Sequence, residues 1–292
     1  MVLERPLTGC IVGISASESD ELQLLGFDRF EVNRTVIRLS EALLAAGSRL
    51  AFGHDWRPGG VMEAVAEIAE RRLNVAPADP RPPQAPILNR VAPPDVPFLH
   101  SERGARNEAP NLGDPAQSLR TRLHGIVDAQ QVAVPQALLE GPEDRQRALT
   151  WLRQELAQIC DARVCLGGKL TNFFRRMPGV VEEAVYTVAV RRPLYLSEIF
   201  GGAAKTLADA LDRGPGAIFD FVPPQDASWK RWNFAPGDSP VSNGLESEGN
   251  RLLRSSKSVD LCIELILNGL TNWWREHRGR VLNERRERGW IY

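Results

Sequence analysis

The sequence has few of the residue patterns that mark metal centres and common enzyme classes. Its four cysteines show no CxxC spacing, and its four histidines form neither an HxH nor an HExxH pattern. A zinc site therefore has little support, and we expect no metal. GxSxG and GxGxxG are also absent, which disfavours a serine nucleophile of that type and an ordinary NAD-dependent dehydrogenase. We expect no bound cofactor.

The chain also lacks an excess of charge of either sign and any long apolar run. Lys and Arg number 36 against 37 Asp and Glu, which gives a formal net charge of -1. This balance disfavours nucleic acid as a partner, because no overall field attracts a polyanion. With no signal peptide pattern and no run of about 18 apolar residues, we expect a soluble protein without a membrane partner. The cysteines lie in apolar stretches and fit small core residues in a reducing, cytoplasmic compartment.

Short apolar runs alternate with amphipathic segments along most of the chain. Strands are predicted at 9–15, 49–53, 162–168 and 193–197, and helices at 32–47, 61–72, 142–160, 178–192 and 201–212. Strands that alternate with helices form parallel sheets that are covered on both faces. The predicted fold is therefore α/β, a Rossmann-like doubly wound parallel sheet with helices on both faces.

The middle and the end of the chain depart from this alternation. Residues 73–141 are rich in proline and are interpreted as an insertion, with candidate strands at 86–92 and 96–100 and a candidate helix at 120–129. We assign 1–212 to a nucleotide-binding domain and 213–292 to a helical C-terminal extension. The apolar helix predicted at 259–274 either closes the core or joins protomers, and we expect a homo-oligomer. The charged run at 275–290 is typical of a solvated helix.

Glycines and polar residues follow several of the predicted strands. Ligands of doubly wound sheets bind at the carboxyl ends of strands, where glycine lets the backbone approach a ligand and helix N-termini attract phosphate. A tight turn without a ligand is the alternative at each loop, and for the His54 loop so is a helix cap. The candidate ligand-binding residues are Ser15, Ser17, His54, Arg57, Gly59, Gly60, Gly167, Gly168, Lys169, Phe200, Gly201 and Gly202.

Three segments together resemble a known superfamily. They are FGHDWRPGGVMEAVAEIA, LGGKLTNFFRRMPGVVEEAV and LYLSEIFGGAAKTLADAL, and they resemble the SLOG superfamily over roughly residues 9–72 and 143–212. This superfamily includes the lonely-guy phosphoribohydrolases, the DNA-processing protein fold and the sensor region of melastatin-type channels. The resemblance is greatest to prokaryotic SLOG ligand sensors of conflict and defence systems. It implies a ligand related to ADP-ribose, NAD or another ribosyl phosphate.

The lonely-guy motif PGGxGTxxE has a partial counterpart here. Gly167 and Gly168 match its first glycine pair, Gly179 begins its second half, and Glu183 has the register of its glutamate. The ten residues 169–178 separate the two halves, and valine replaces the threonine. The resemblance implies that Glu183, or its neighbour Glu182, lies near an N-glycosidic bond. The alternative is that both are acids favoured in the first turn of a helix.

These observations leave three functions open. The first is a sensor or effector subunit that binds a nucleotide-derived ligand and cleaves no bond. The second is an N-glycosidase that uses Glu183, because a carboxylate stabilises the positive charge that develops on ribose during cleavage. The third is DNA handling, which the charge balance disfavours. We favour the sensor, because the motif of the enzymes is interrupted.

Overall fold

In a computed structural model of the chain, the described residues are 5–53, 60–75, 84–93, 95, 121–140, 144–171, 177–214, 217, 220–221 and 242–289. They form a parallel sheet with helices on both faces. The predicted strand at 96–100 and the candidate ligand-binding residues His54, Arg57 and Gly59 lie outside this described part.

Six parallel strands form the sheet, in the order β4-β3-β2-β1-β5-β6. They are β1 (Ile11–Ser17), β2 (Arg49–Gly53), β3 (Ile87–Val91), β4 (Val127–Gln131), β5 (Ala162–Gly167) and β6 (Leu194–Ser197). The first strand is central and pairs with β2 on one side and β5 on the other. The chain thus proceeds outward from β1 to β4 and then returns to build the other half. This topology confirms the predicted Rossmann-like doubly wound sheet.

Helices cover both faces of the sheet, as predicted. They are α1 (Glu31–Ala45), α2 (Val61–Val75), α3 (Asp144–Ile159), α4 (Gly179–Ala189), α5 (Gly202–Arg213), α6 (Ser247–Ser255) and α7 (Val259–Glu287). Val12 and Val164 point to one face and pack in a core shared with α1, α2 and α7. On the other face, Ile11 packs with α3, and Cys165 packs with α4 and α5. Side chains alternate between faces along each strand, so both faces are apolar.

The segment 73–141, interpreted as a proline-rich insertion, contributes two strands to the sheet, and the candidate strand at 86–92 is confirmed as β3. Both β3 and β4 lie within it. The helix predicted at 120–129 is wrong beyond its start, since only 121–123 are helical and β4 begins at Val127. Strand β4 is an edge strand, and its last two residues, Gln130 and Gln131, are exposed. A half-exposed edge strand has no continuous apolar run, so its sequence did not indicate a strand.

The C-terminal helix α7 belongs to the core of the same chain. Trp273 and Trp274 are buried against the sheet, and the indole N–H of Trp274 donates to the carbonyl oxygen of Thr8 at 3.2 Å. The helix predicted at 259–274 therefore closes the core. Its charged continuation is less solvated than predicted, because Arg285 is buried and forms an ion pair with Asp161 just before β5.

Candidate ligand-binding cleft

A cleft of about 640 Å³ lies at the carboxyl ends of β1, β2 and β5. The strand order reverses between β1 and β5, so the loops that follow these two strands lead to opposite halves of the sheet and leave a gap between them. The volume falls within the range of roughly 300–1,000 Å³ that is usual for small-molecule sites. The position of the cleft follows from the topology.

Glu183 borders this cleft from the first turns of α4. Its Oε2 atom accepts hydrogen bonds from the hydroxyl of Ser15 and, at 2.9 Å, from the guanidinium of Arg163. Its Oε1 atom lies 3.4 Å from Nε of Arg153. The side chain is 18% exposed. Two guanidinium groups and a hydroxyl therefore fix the carboxylate at the floor of the cleft.

Arg163 is a site residue that the sequence analysis missed. It is the second residue of β5, is buried, and also donates to Ser15 Oγ at 2.8 Å and to Thr187 Oγ1 at 2.9 Å. Burial opposes its charge, but the carboxylate of Glu183 raises the pKa of Arg163, so the guanidinium stays protonated. An arginine within an apolar strand needs a buried partner, and this was the signal available in ARVCLGG.

Glu182 does not border the cleft. It is buried and points toward α3, where its Oε1 atom accepts from the hydroxyl of Thr150 at 2.5 Å and its Oε2 atom pairs with Arg153. Adjacent helical residues point about 100° apart, so Glu182 and Glu183 face different neighbours. Both acids contact Arg153, which ties α4 to α3.

The cleft brings together part of the predicted set. Ser15, Ser17, Lys169, Gly179 and Glu183 all line it. Gly60 is described and directly precedes α2, but the cleft is lined there by the next two residues, Val61 and Met62. Ligand contacts by these residues stay predictions.

The glycine pairs after β5 and β6 pack against each other at the edge of the sheet. The N–H of Gly168 donates to the carbonyl of Ser17 at 2.8 Å, and the N–H of Ala203 donates to the carbonyl of Gly168 at 2.9 Å. A Cβ atom on Gly202 would collide with the backbone of Gly168. Gly167, Gly168, Phe200, Gly201 and Gly202 do not line the cleft. The structure gives these glycines a packing role, and ligand binding by them stays a prediction.

An acidic segment of the chain itself occupies the same edge. The carboxylate of Asp20 accepts from the backbone N–H groups of Leu170 and Thr171 at 3.3 and 3.2 Å, and from the Thr171 hydroxyl at 2.9 Å. These bonds, the hydroxyl first, lower the pKa of Asp20. Glu21 lies 3.4 Å from the N–H of Gly202 at the start of α5. Carboxylates of the chain thus fill positions at which a phosphate was expected.

The two walls of the cleft differ in chemistry. Cations lie on one wall, with Arg145 and Arg153 on α3 and Lys169 after β5. The opposite wall is largely apolar, because α1 and α2 pack on the other face of the sheet; it includes Asn33, Val36, Phe52, Val61 and Met62. The arrangement suits a ligand with an anionic end and a flat, weakly polar end. The sequence did not single out the α3 arginines.

Metal and thiol chemistry find no support among the described residues. No group of three or more His, Cys, Asp or Glu side chains is placed there to hold a metal ion. Cys165 pairs in register with Ser15, and burial raises the pKa of its thiol to about 12. All four cysteines are buried and unpaired, as small core residues. Within the same described ranges, no helix has the length and apolar character needed to cross a bilayer.

The structure defines a Rossmann-like α/β domain with a candidate ligand-binding cleft at the point where the strand order reverses. More particularly, the chain belongs to the SLOG cluster2 family, whose model matches residues 6–221. This match runs from the segment before β1 through α5 and includes β3 and β4, whereas α6 and α7 lie beyond it. None of the curated proteins matches the chain.

Proposed function

We propose that this domain binds a nucleotide-derived ligand that carries phosphate, related to ADP-ribose or another ribosyl phosphate, and acts as a sensor or effector subunit. One observation carries the proposal: Arg145, Arg153 and Lys169 line one side of the cleft together with the Glu183 carboxylate, whereas the side formed by α1, α2 and β2 is largely apolar. Membership of the SLOG cluster2 family supports a nucleotide-related ligand.

The walls suggest an orientation for the ligand. The phosphate lies toward Lys169 and Arg145, where ammonium and guanidinium groups form charge-assisted hydrogen bonds. The base lies against Phe52 and Met62. Glu183 lies between the two ends and accepts hydrogen bonds from ribose hydroxyls, as acidic residues do in other Rossmann-like sites.

The surroundings of Glu183 favour binding over bond cleavage. A carboxylate that stabilises an oxocarbenium-like state acts through its negative charge. Here Arg153 and Arg163 both pair with that charge and offset it. The same two cations disfavour a further positive charge beside them. Glu183 is better suited to hold hydroxyl groups than to promote departure of the base.

Thermal unfolding with added ADP-ribose, NAD and ribose 5-phosphate tests the proposal. A ligand at about 100 times its Kd stabilises a protein by about 2.7 kcal/mol, so Tm rises measurably. Lys169→Ala should reduce this rise, because it removes a phosphate contact. Lys205→Ala is the matched control, because Lys205 is an exposed residue of α5 outside the cleft. The proposal fails if none of the three compounds stabilises the wild type, or if both variants respond as it does.

N-glycosidic cleavage is a second candidate, favoured by the position of Glu183 alone. Its carboxylate borders the cleft, where a substrate could reach it. Cleavage would release free base from a nucleoside monophosphate or nicotinamide from NAD. Chromatography after long incubation detects either product, and a sensor releases neither.

A further inference from the structure

A second cavity, of about 290 Å³, lies at the opposite ends of the strands from the cleft. We call it the arginine groove; Gln158, Arg191, Arg192, Arg280, Glu284 and Arg288 line it. Arg192 lies two residues before β6 and Gln158 lies shortly before β5, so the groove lies at the amino ends of these strands. The length of β5 separates it from the cleft at the carboxyl ends.

Positive charge dominates the lining of the groove. Four arginines and one acid, Glu284, give the lining side chains a net charge of +3. Glu284 is already engaged, since one carboxylate oxygen lies 2.8 Å from Arg192 and the other lies 3.7 Å from Arg280. The nearby buried pair of Arg285 and Asp161 adds no net charge. This concentration is local, because the whole chain has a formal charge of -1.

Helix ends offset this charge only in part. Helices α3, α4 and α7 all end near the groove, and each C-terminus carries roughly half a negative charge. Three such ends offset about 1.5 charges, which leaves the groove clearly positive. Capping of helix ends therefore accounts for some of the arginines and not for all of them.

The backbone at Arg191 is a second and independent observation. Helix α4 ends in a Schellman turn, in which the N–H of Arg192 donates to Thr187 O at 3.0 Å and the N–H of Arg191 donates to Val188 O at 2.9 Å. The residue at this position is usually glycine, because φ is positive. Here it is arginine at φ 57, and among the residues that the structure describes it is the one non-glycine residue with positive φ. Such conformations are costly and concentrate at functional sites.

We propose that the arginine groove is a second binding site, specific for a small, multiply charged phosphate group. Arg192 is buried and held by Glu284, and Arg288 is held by Gln158 at 2.8 Å, so two guanidinium groups are positioned in advance. Arg191 and Arg280 are exposed and complete the groove from α4 and α7. Planar guanidinium groups bind pairs of carboxylate or phosphate oxygens, and several of them around one groove suit the larger charge and number of oxygens of a phosphate group.

Calorimetric titration of the full chain with inorganic pyrophosphate, at constant ionic strength, tests this site. Arg280→Ala removes one guanidinium. Arg191→Gly removes another and places in the turn the residue that its φ favours, so Tm should stay equal or rise while pyrophosphate affinity falls. Each variant should lose affinity about tenfold, the loss expected for a charged hydrogen bond. Arg286→Ala is the matched control, because it removes the same charge from α7 outside the groove.

Lys169→Ala separates the groove from the cleft. The proposal expects Arg286→Ala to bind pyrophosphate as the wild type does. Lys169 is a proposed phosphate contact of the cleft, so Lys169→Ala weakens any pyrophosphate bound there and should retain the binding in the groove, which Arg191→Gly in the same background reduces. A second titration with ADP identifies the source of the phosphate. An affinity for ADP that Arg191→Gly reduces indicates a phosphate ester, and binding of pyrophosphate alone indicates a free oxyanion. The proposal is overturned if the wild type binds neither compound, if Arg191→Gly and Arg280→Ala bind normally, if Arg286→Ala loses affinity equally, or if Lys169→Ala abolishes all binding.

Discussion

The guanidinium of Arg163 lies 2.9 Å from the carboxylate of Glu183 and joins the first residues of β5 to the beginning of α4. Arg163→Met keeps the length of the side chain and removes the charge, so Glu183, Ser15 and Thr187 each lose a donor. Breaking a buried ion pair from one side costs about 3–5 kcal/mol. We expect the free energy of unfolding in urea to fall by about that amount.

The double variant Arg163→Met with Glu183→Gln is the control for this effect. Removing both charges leaves no uncompensated buried carboxylate, so part of the lost stability should return. Equal stability of Arg163→Met and the wild type would show that the pair contributes little. A double variant less stable than Arg163→Met would contradict the argument that the unpaired carboxylate is the source of the loss.

Much of the sheet could be predicted from the sequence, because its central strands are buried on both faces. The runs at 9–15 and 162–168 are largely apolar, as expected for β1 and β5, although Arg163 interrupts the second. Strand β4 was missed, because an edge strand needs apolar residues on fewer positions. The place of β4 in the sheet depends on its pairing with β3. The spacing of apolar residues within β4 gives no information about that pairing.

Only part of the candidate site could be predicted from individual residues of the sequence. Lys169 could be placed at the carboxyl edge from its position after a strand, and Glu183 from the resemblance to the lonely-guy motif. The roles of Asp20 and Glu21 could not, because they depend on a segment after β1 that reaches loops about 150 residues or more away in the chain. Glycine pairs indicate close backbone approach, and here the approaching group is another loop of the same chain.

Gly168→Val should destabilise the protein severely. Gly168 has φ +100, and a Cβ atom there would lie 2.8 Å from Cβ of Ala203 and 2.9 Å from Val180. Strain at positive φ and overpacking each cost about 1–3 kcal/mol. We expect a large fall in Tm or failure to fold. A Gly168→Val protein with normal Tm would show that the loop relaxes easily.

Asp20 should contribute stability that depends on pH. The hydroxyl of Thr171 and two backbone N–H groups lower its pKa below 3.8, so the folded state favours the ionised form. Its contribution is therefore complete above about pH 5 and is lost as the pH falls through the lowered pKa. We expect Asp20→Asn to unfold in less urea than the wild type at pH 6, and the difference to shrink toward pH 3. A difference that is constant with pH would contradict this assignment.

Trp274→Ala should lower the free energy of unfolding by about 3–5 kcal/mol, the usual cost of removing a large buried aromatic side chain. Trp274 lies on the buried face of α7, and its indole N–H donates a hydrogen bond to the carbonyl oxygen of Thr8. Urea unfolding followed by circular dichroism measures the loss. Stability close to that of the wild type would show that α7 docks weakly on the sheet.

Leu267→Glu separates the core role of α7 from a role in assembly. Leu267 is partly buried against the core, whereas the adjacent Asn268 is exposed. We expect Leu267→Glu to lower Tm without a change in sedimentation coefficient, and Asn268→Glu to change neither. A stable Leu267→Glu protein that sediments more slowly than the wild type would instead support the predicted homo-oligomer, with this face as its interface.

Glu183→Gln distinguishes the proposed sensor from an N-glycosidase. The substitution keeps the shape of the side chain and removes the charge that an oxocarbenium-like transition state requires. If the protein is a hydrolase, base release should fall by roughly 10²-fold or more, the usual cost of removing one such electrostatic contact, while ligand affinity changes little. If it is a sensor, the wild type releases no base from NAD, nucleoside monophosphates or ADP-ribose derivatives, and Glu183→Gln alters only affinity. We expect the second result, because two arginines already pair with this carboxylate.

Glu182→Gln is the control for the preceding comparison, because Glu182 faces α3 and does not line the cleft. Chromatography of released base and calorimetric binding are measured on the wild type and both variants. Hydrolysis that survives Glu183→Gln and disappears with Glu182→Gln would place the chemistry one residue earlier than the geometry of the cleft indicates. Hydrolysis that survives in both variants would remove the start of α4 from the reaction. Unchanged affinity in Glu183→Gln, without hydrolysis in the wild type, would mean that the ligand does not contact this carboxylate.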